Sequence, residues 1–158
     1  MTIEKTFDLA VQNHKKNNFQ VAENLYKEVL KINPNHFGSI FLLGTLSIKI
    51  KNFDRAIQLL NQAILIQPHH AQSHSNLGAV YKELGKTEKA MSYYQKAINI
   101  KPDYADAHNN LGVVFNELGE IQKSITCYQK AINIQPDYAD AYYNLGNVLH
   151  KLNKHQEA

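Results

Sequence analysis

The sequence lacks the features of secreted, membrane-spanning and disulfide-bonded proteins. It has no tryptophan and one cysteine, Cys127, so an internal disulfide is impossible and a reducing compartment such as the cytoplasm is expected. No run of about 18 apolar residues exists, so no segment is predicted to span a membrane. The polar start, with Glu4, Lys5 and Asp8, has no apolar stretch typical of a signal peptide.

The charge and the missing motifs also exclude several functions. The net charge is only +3, and no Lys/Arg run exceeds two residues, so a nucleic-acid partner is not expected. No phosphate-binding loop, dinucleotide-binding glycine motif or nucleophile elbow occurs. Cys127 lies mid-helix and is interpreted as a packing residue. His70 and His74 lie four residues apart without a third ligand nearby, so neither a metal nor a cofactor is expected, and no catalytic residue is assigned.

Proline is scarce but strictly periodic. The four prolines follow one another at intervals of 34 residues, and leucine and glycine recur at the same interval. Such a period indicates a repeat protein. The repeats are expected at about residues 3–36, 37–70, 71–104, 105–138 and 139–158, the last incomplete, and together they form a single array. The periodic prolines and glycines are Pro34, Pro68, Pro102, Pro136, Gly44, Gly78, Gly112 and Gly146.

Each repeat contains two helical patterns. In the third repeat these span 71–84 and 87–100, and no segment alternates as a strand does, so an all-α fold is predicted. The first helix of a repeat is expected to end in a left-handed residue. Glycine suits this position, asparagine suits it less well, and lysine departs from the pattern; the residues concerned are Gly85, Gly119, Asn17, Asn153 and Lys51. Asp103 and Asp137 are expected to cap the N-termini of the following helices.

The periodic glycines require a steric explanation, because glycine inside a helix costs about 1 kcal/mol relative to alanine. They are predicted to mark a close approach of two helices. Small residues are expected to face them, and large residues four positions later are expected to fill the space between hairpins. The small residues are Ala56, Ala90 and Ser124, and the large ones are Leu60, Tyr94 and Tyr128.

The third repeat carries a recognisable motif: His74-x2-Leu77-Gly78-x2-Tyr81, then Ala90-x3-Tyr94, then Pro102. This resembles the tetratricopeptide signature, with histidine in place of the usual tryptophan. The resemblance implies a solenoid of antiparallel helix pairs in a right-handed superhelix, with about four full repeats and a truncated fifth. The truncation predicts that the chain is a piece of a longer protein.

By this resemblance, the first helix of each repeat lines a concave, peptide-binding groove. Asn76, Asn110 and Asn144 each precede a periodic glycine by two residues. A carboxamide both donates and accepts, so each can pair with a peptide unit. The pattern is similar to the repeats preceding O-linked N-acetylglucosamine transferases and their bacterial relatives, where an asparagine ladder holds the substrate chain. Asp8 and Leu42 interrupt it in the first two repeats, and the alternative is that the asparagines only solvate the groove.

Other side chains are expected in the same groove. One helical turn before the asparagines lie Gln72, Asp106 and Asp140; farther on lie Lys82, Asn116 and Asn147; and Phe41 belongs to an apolar wall at the N-terminal end. The two carboxylates would favour basic or hydroxyl-rich ligands, although acidic residues in a first helical turn also complement the helix dipole. The lysines and arginines that bind a chaperone C-terminus in carboxylate-clamp members are missing, so that partner is not expected.

Three functions remain open at this point. The first is a scaffold that binds proteins or extended peptides and is not an enzyme. The second is the substrate-recruiting N-terminal region of a larger enzyme such as a glycosyltransferase. The third is a structural unit that self-associates end to end through an uncapped C-terminal edge.

Overall fold

A computed structural model describes residues 2–157, and the side chains of residues 2–154. Within residues 2–157 it contains nine helices and no strand, which confirms the all-α prediction. In the third repeat the predicted boundaries are met to within one residue, because glycine and proline interrupt the helices there. The helices are α1 (Ile3–Lys15), α2 (Phe19–Ile32), α3 (Phe37–Lys49), α4 (Phe53–Ile66), α5 (Ala71–Glu83), α6 (Thr87–Ile100), α7 (Ala105–Glu117), α8 (Ile121–Ile134) and α9 (Ala139–Glu157).

Consecutive helices pack as hairpins. Helix α1 packs on α2, α3 on α4, and α7 on α8, and each hairpin also contacts a neighbouring one through α2 and α3, α6 and α7, or α8 and α9. The chain divides into two compact units, one up to Val80 and the other from Tyr81, so the boundary falls within α5.

The core of the first unit is centred on Tyr26, which is fully buried together with Ala10, Ala22 and Leu46. Burial raises the pKa of Tyr26 to about 12, so its hydroxyl stays protonated. That hydroxyl forms a 3.2 Å hydrogen bond with Nδ1 of His14. Burial, followed by the charge of Lys49, lowers the pKa of His14, so the pair is neutral near pH 7. The polar tip of the tyrosine is thus satisfied inside an apolar core.

Gly44 and Gly112 mark close approaches, as predicted, whereas Gly146 does not, and large side chains occupy the space opposite the first two. A Cβ on Gly112 would lie 2.7 Å from Cε1 and 2.8 Å from Cδ1 of Tyr128, and one on Gly44 would lie 3.2 Å from Cγ of Leu60. The nearest atoms therefore do not belong to Ser124 or Ala56, contrary to expectation. The physical reason is that a large side chain fills the volume a missing Cβ leaves, whereas a small one would leave a void. Among the described residues, no atom lies within 4 Å of a Cβ on Gly146.

The turns after the first helices follow the expected left-handed geometry with one exception. Gly85 and Gly119 have φ values of +68° and +76°, and Asn17 has 62°. Lys51 also adopts a positive φ, of 59°, despite its side chain. Asn153, by contrast, lies inside α9, which continues to Glu157, so the helix end predicted there is wrong. The position holds no glycine, which would adopt the left-handed conformation at little cost in free energy. The lysine, glutamine and glutamate that follow Asn153 are good helix formers, so the helix continues.

Neither Asp103 nor Asp137 caps a helix. The turn after Pro102 continues one residue further, so Tyr104 precedes α7 and contributes no side-chain cap. Similarly, α9 begins two residues after Asp137. In the first unit, histidines occupy the positions equivalent to Tyr104. Nδ1 of His36 accepts from the backbone N–H of Ser39 at 3.2 Å, and Nδ1 of His70 accepts from that of Ser73 at 3.3 Å.

Alanine at Gly112 is expected to destabilise the second unit, and alanine at Gly146 to stabilise it. The first Cβ would overlap the Tyr128 ring, and overpacking of this kind costs about 1–3 kcal/mol, more than the helix-propensity gain. The second would enter open space and gain about 0.5–1 kcal/mol. Urea unfolding followed by circular dichroism measures both. Equal shifts of the two midpoints would contradict the close packing described here.

Acid is expected to weaken the first unit through His70. Burial, followed by the nearby His74, lowers the pKa of His70 from 6.5, and Nδ1 must be unprotonated to cap α5. The unfolded chain therefore binds the proton more readily, and stability falls as the pH drops through 6.5 towards the folded-state pKa. His70→Gln should reduce this pH dependence in urea unfolding, whereas His69→Gln, at an exposed neighbouring position, should preserve it. An unchanged slope in His70→Gln would refute the assignment.

Candidate functional site

In the first unit, the carboxamide of Asn76 is held by the neighbouring first helix. Asn76 is half-buried, and its Nδ2 donates to Oγ1 of Thr45 on α3 at 3.5 Å. Thr45 in turn donates to the carbonyl of Phe41 at 3.0 Å. The 3.5 Å bond from Asn76 to Thr45 is at the limit of hydrogen-bond geometry and is weak. It restrains the amide while leaving its oxygen and its second N–H available to a ligand.

The predicted apolar wall of this unit mainly supports the core. Phe41 is only 8% exposed, stacks on Phe37 at 6.0 Å and contacts the ring of His70 at 4.8 Å. Phe7 is half-buried and packs its ring against His36 at 4.8 Å. Little of Phe41 is therefore presented to solvent, whereas Gln72 on α5 is exposed.

In the second unit, α7 and α9 are in contact and carry Asn110 and Asn144 at equivalent positions. Both side chains are half-buried. Nδ2 of Asn144 donates to Oδ1 of Asn109 at 3.0 Å, and Asn109 is itself only 5% exposed. The side chain of Asn110 makes no hydrogen bond within residues 2–154. One of the two carboxamides is thus oriented by a buried partner, and the other is open to a ligand.

Tyr138 and the carboxylate of Asp106 lie close to Asn109, the hydrogen-bond partner of Asn144. Burial raises the pKa of Tyr138, and the negative charges of Asp106 and then Asp140 raise it further, while a side-chain interaction with Asn109 opposes them. The tyrosine hydroxyl therefore remains neutral and lies close to both Asp106 and Asn109. Asp106 and Asp140 are both exposed, so the surface around Tyr138 is acidic.

The remaining predicted residues are more dispersed. Nζ of Lys82 lies 3.8 Å from Oε1 of Glu117 and 3.9 Å from Oε1 of Glu83. Both carboxylates are more than half exposed, so these ion pairs contribute little to stability. Asn116 is half-buried, and Asn147 is exposed. The sequence pattern did not indicate Asn109, which differs from its repeat equivalents, or Tyr138, which recurs with Tyr104 but precedes the first helix of its repeat.

The histidines of the motif are structural. His74 and His108 are buried, and each donates from Nε2 to a proline carbonyl at 2.9 Å, on Pro68 and Pro102 respectively. Each thereby joins its first helix to the preceding turn. Burial raises the pKa of the Cys127 thiol, which keeps it protonated and unreactive. In the described part of the chain, no three His, Cys, Asp or Glu side chains group as metal ligands do.

Comparison with known proteins gives consistent family matches. A "TPR repeat" family model matches residues 80–119 and 114–153, and a "Tetratricopeptide repeat" model matches residues 14–79. No curated protein sequence matches the chain. Across the described residues, no helix combines the length and apolarity needed to cross a membrane.

Several solved structures are similar. A crystal structure of MamA is 28% identical, with a TM-score of 0.82, over 98% of this chain and 85% of that one. The Thermobaculum terrenum O-GlcNAc transferase is 26% identical, with a TM-score of 0.78, over 83% of this chain but only 26% of the transferase. Pseudomonas aeruginosa pilF has a TM-score of 0.87 at 16% identity, over 96% of this chain and 69% of that one, which supports the fold alone.

Proposed function

Because the chain belongs to the tetratricopeptide repeat family, whose members are generally non-catalytic scaffolds for protein interactions, we propose that it binds an extended peptide of a partner protein. The binding surface consists of the solvent-facing sides of the first helices. The observation that carries this proposal is the placement of Asn76, Asn110 and Asn144, each half-buried at the same repeat position. The unpaired Cys127 is compatible with a cytoplasmic location.

The carboxamides suit recognition of a peptide backbone. Asn144 donates one N–H to Asn109, which orients its amide and lowers the entropy lost on binding, and Asn76 makes a weaker bond of the same kind to Thr45. The oxygen and the second N–H remain for a peptide N–H and C=O. Packed helices lie about 8–10 Å apart, and an extended peptide rises about 3.3 Å per residue. Asn110 and Asn144, on the contacting helices α7 and α9 of the second unit, would therefore contact about every third residue.

The charges around the asparagines narrow the class of ligand. Asp106 and Asp140 are exposed beside Asn109 and Tyr138 and favour a peptide with basic or hydroxyl side chains at that position. Because the main contacts are to the peptide backbone, the sequence preference is expected to be broad. The polar side chains Gln72, Asn116 and Asn147 extend the same kind of surface along the first helices.

A second candidate function is recruitment of substrate to an attached enzyme. It is supported by the 26% identity to the Thermobaculum terrenum O-GlcNAc transferase, of which this chain matches 26% of the length. The reading frame after Ala158 tests it. A glycosyltransferase domain encoded there would support this role, and a stop codon or an unrelated domain would exclude it.

Replacing Asn76, Asn110 and Asn144 together by alanine is expected to weaken peptide binding at least about tenfold, since several hydrogen bonds of about 0.5–1.5 kcal/mol each are lost. Fluorescence anisotropy with peptides selected on the wild-type chain measures the affinity. A matched control replaces three exposed asparagines of the second helices, Asn24, Asn61 and Asn99, and should bind normally. Equal affinity of both triple variants would refute the proposal.

Self-association is a third candidate, favoured by the exposed face of α9. Gly146 has open space beside it, and Tyr142, Tyr143 and Leu149 are 50%, 71% and 42% exposed. Contact of this face with another copy would bury apolar area worth roughly 25 cal/mol per Å². Light scattering over a concentration series should then report a rising mass that Leu149→Lys suppresses. A constant monomer mass at all concentrations would exclude this role.

A further inference from the structure

The second unit contains a cavity of about 290 Å³ between α6, α7 and α8. Its apolar floor includes Ile98, Leu111, Phe115 and the thiol of Cys127, the only cysteine of the chain. Its polar margin is formed by the amides of Gln95 and Gln122, the hydroxyl of Thr126 and the amines of Lys123 and Lys130. The cavity is thus apolar inside and polar at its edge, as ligand-binding sites usually are.

This cavity lies on the side of α7 opposite Asn110. On α7, His108, Leu111 and Phe115 recur at helical spacing and line the cavity. At about 100° per residue, Asn110 and Asp106 lie roughly half a turn away, on the other side of the same helix. The cavity therefore belongs to a different surface from the one proposed above to bind peptide.

A second cavity of about 290 Å³ continues the first. The two share Ile98, His108 and Lys130, and the second is completed by Pro102, Asn133 and Ile134. Each is at or below the lower end of the usual range for small-molecule sites, about 300–1,000 Å³. Each has room for one large apolar side chain. Two adjoining cavities therefore form a groove, hereafter the α6–α8 groove, with room for two such side chains.

The charge at the α6–α8 groove has one sign. Lys130 lines both cavities, Lys123 lines the first, and no carboxylate is among the lining residues. Lys123 is partly neutralised, since its Nζ lies 2.9 Å from Oε2 of Glu120. Lys130 is exposed, and no carboxylate pairs with it within residues 2–154. An occupant with negative charge beside its apolar groups would thus complement the groove.

We propose that the α6–α8 groove is a second binding site, for an acidic segment of a partner protein that inserts two large apolar side chains. The apolar side chains occupy the two cavities, and a carboxylate beside them pairs with Lys130. Gln95 and Gln122 can hydrogen-bond to the backbone or polar side chains of the segment. The site lets one repeat unit hold two partners, one on each side of α7.

Selection from a phage-displayed library of random linear peptides on the wild-type chain tests this proposal. Binding of the selected peptides is then compared between the wild type and two variants. Thr126→Trp places a large ring in the first cavity, and the double variant Lys123→Glu, Lys130→Glu reverses the charge. All three positions are exposed, so the fold should be retained, which circular dichroism checks. The matched control is the Asn76, Asn110 and Asn144 triple alanine variant.

The expected result is a class of peptides with two large apolar residues and net negative charge that loses about tenfold or more in affinity for both groove variants and retains it for the control. A selection in which every peptide class tolerates both groove variants would overturn the proposal. Loss of binding only in the asparagine variant would overturn it while supporting the first site.

Discussion

The approach of a large side chain to a periodic glycine determines how the α3–α4 and α7–α8 hairpins pack. Tyr128 lies against the backbone of Gly112, and Leu60 against that of Gly44, at distances no Cβ would allow or only barely allow. Because one side of the first helix is used in this contact, its opposite side is left at the surface. Asn110 lies two positions before Gly112, on that remaining side. The packing that stabilises the hairpin therefore also presents the polar side chains.

The fold was predictable because its boundaries depend on local backbone chemistry. Glycine accommodates a left-handed turn residue and proline ends a helix, so the third repeat was predicted to within one residue. The errors have the same local origin. The caps expected at Asp103 and Asp137 fall where the turn continues for another residue, and α9 continues through Asn153 because nothing in that segment breaks a helix.

The sequence predicted which repeat position the candidate site residues share, but not which side chains contact them. The repeat places Asn76, Asn110 and Asn144 at one register, but it does not reveal what holds each amide. Asn109 departs from its repeat equivalents, and its bond to Asn144 joins residues 35 positions apart. The α6–α8 groove was equally invisible, because it depends on the space left between helices rather than on any motif. Sequence periodicity identifies surfaces, and tertiary contacts decide how each surface is used.

Binding of a partner's backbone by the carboxamides of the first-helix asparagines is tested most directly by NMR. The isotope-labelled chain is titrated with a selected peptide and followed through the side-chain NH₂ resonances of asparagine. Saturable shifts are expected for Asn76, Asn110 and Asn144 and none for Asn24 and Asn99. Binding that leaves the three first-helix resonances unmoved would contradict this mode of binding.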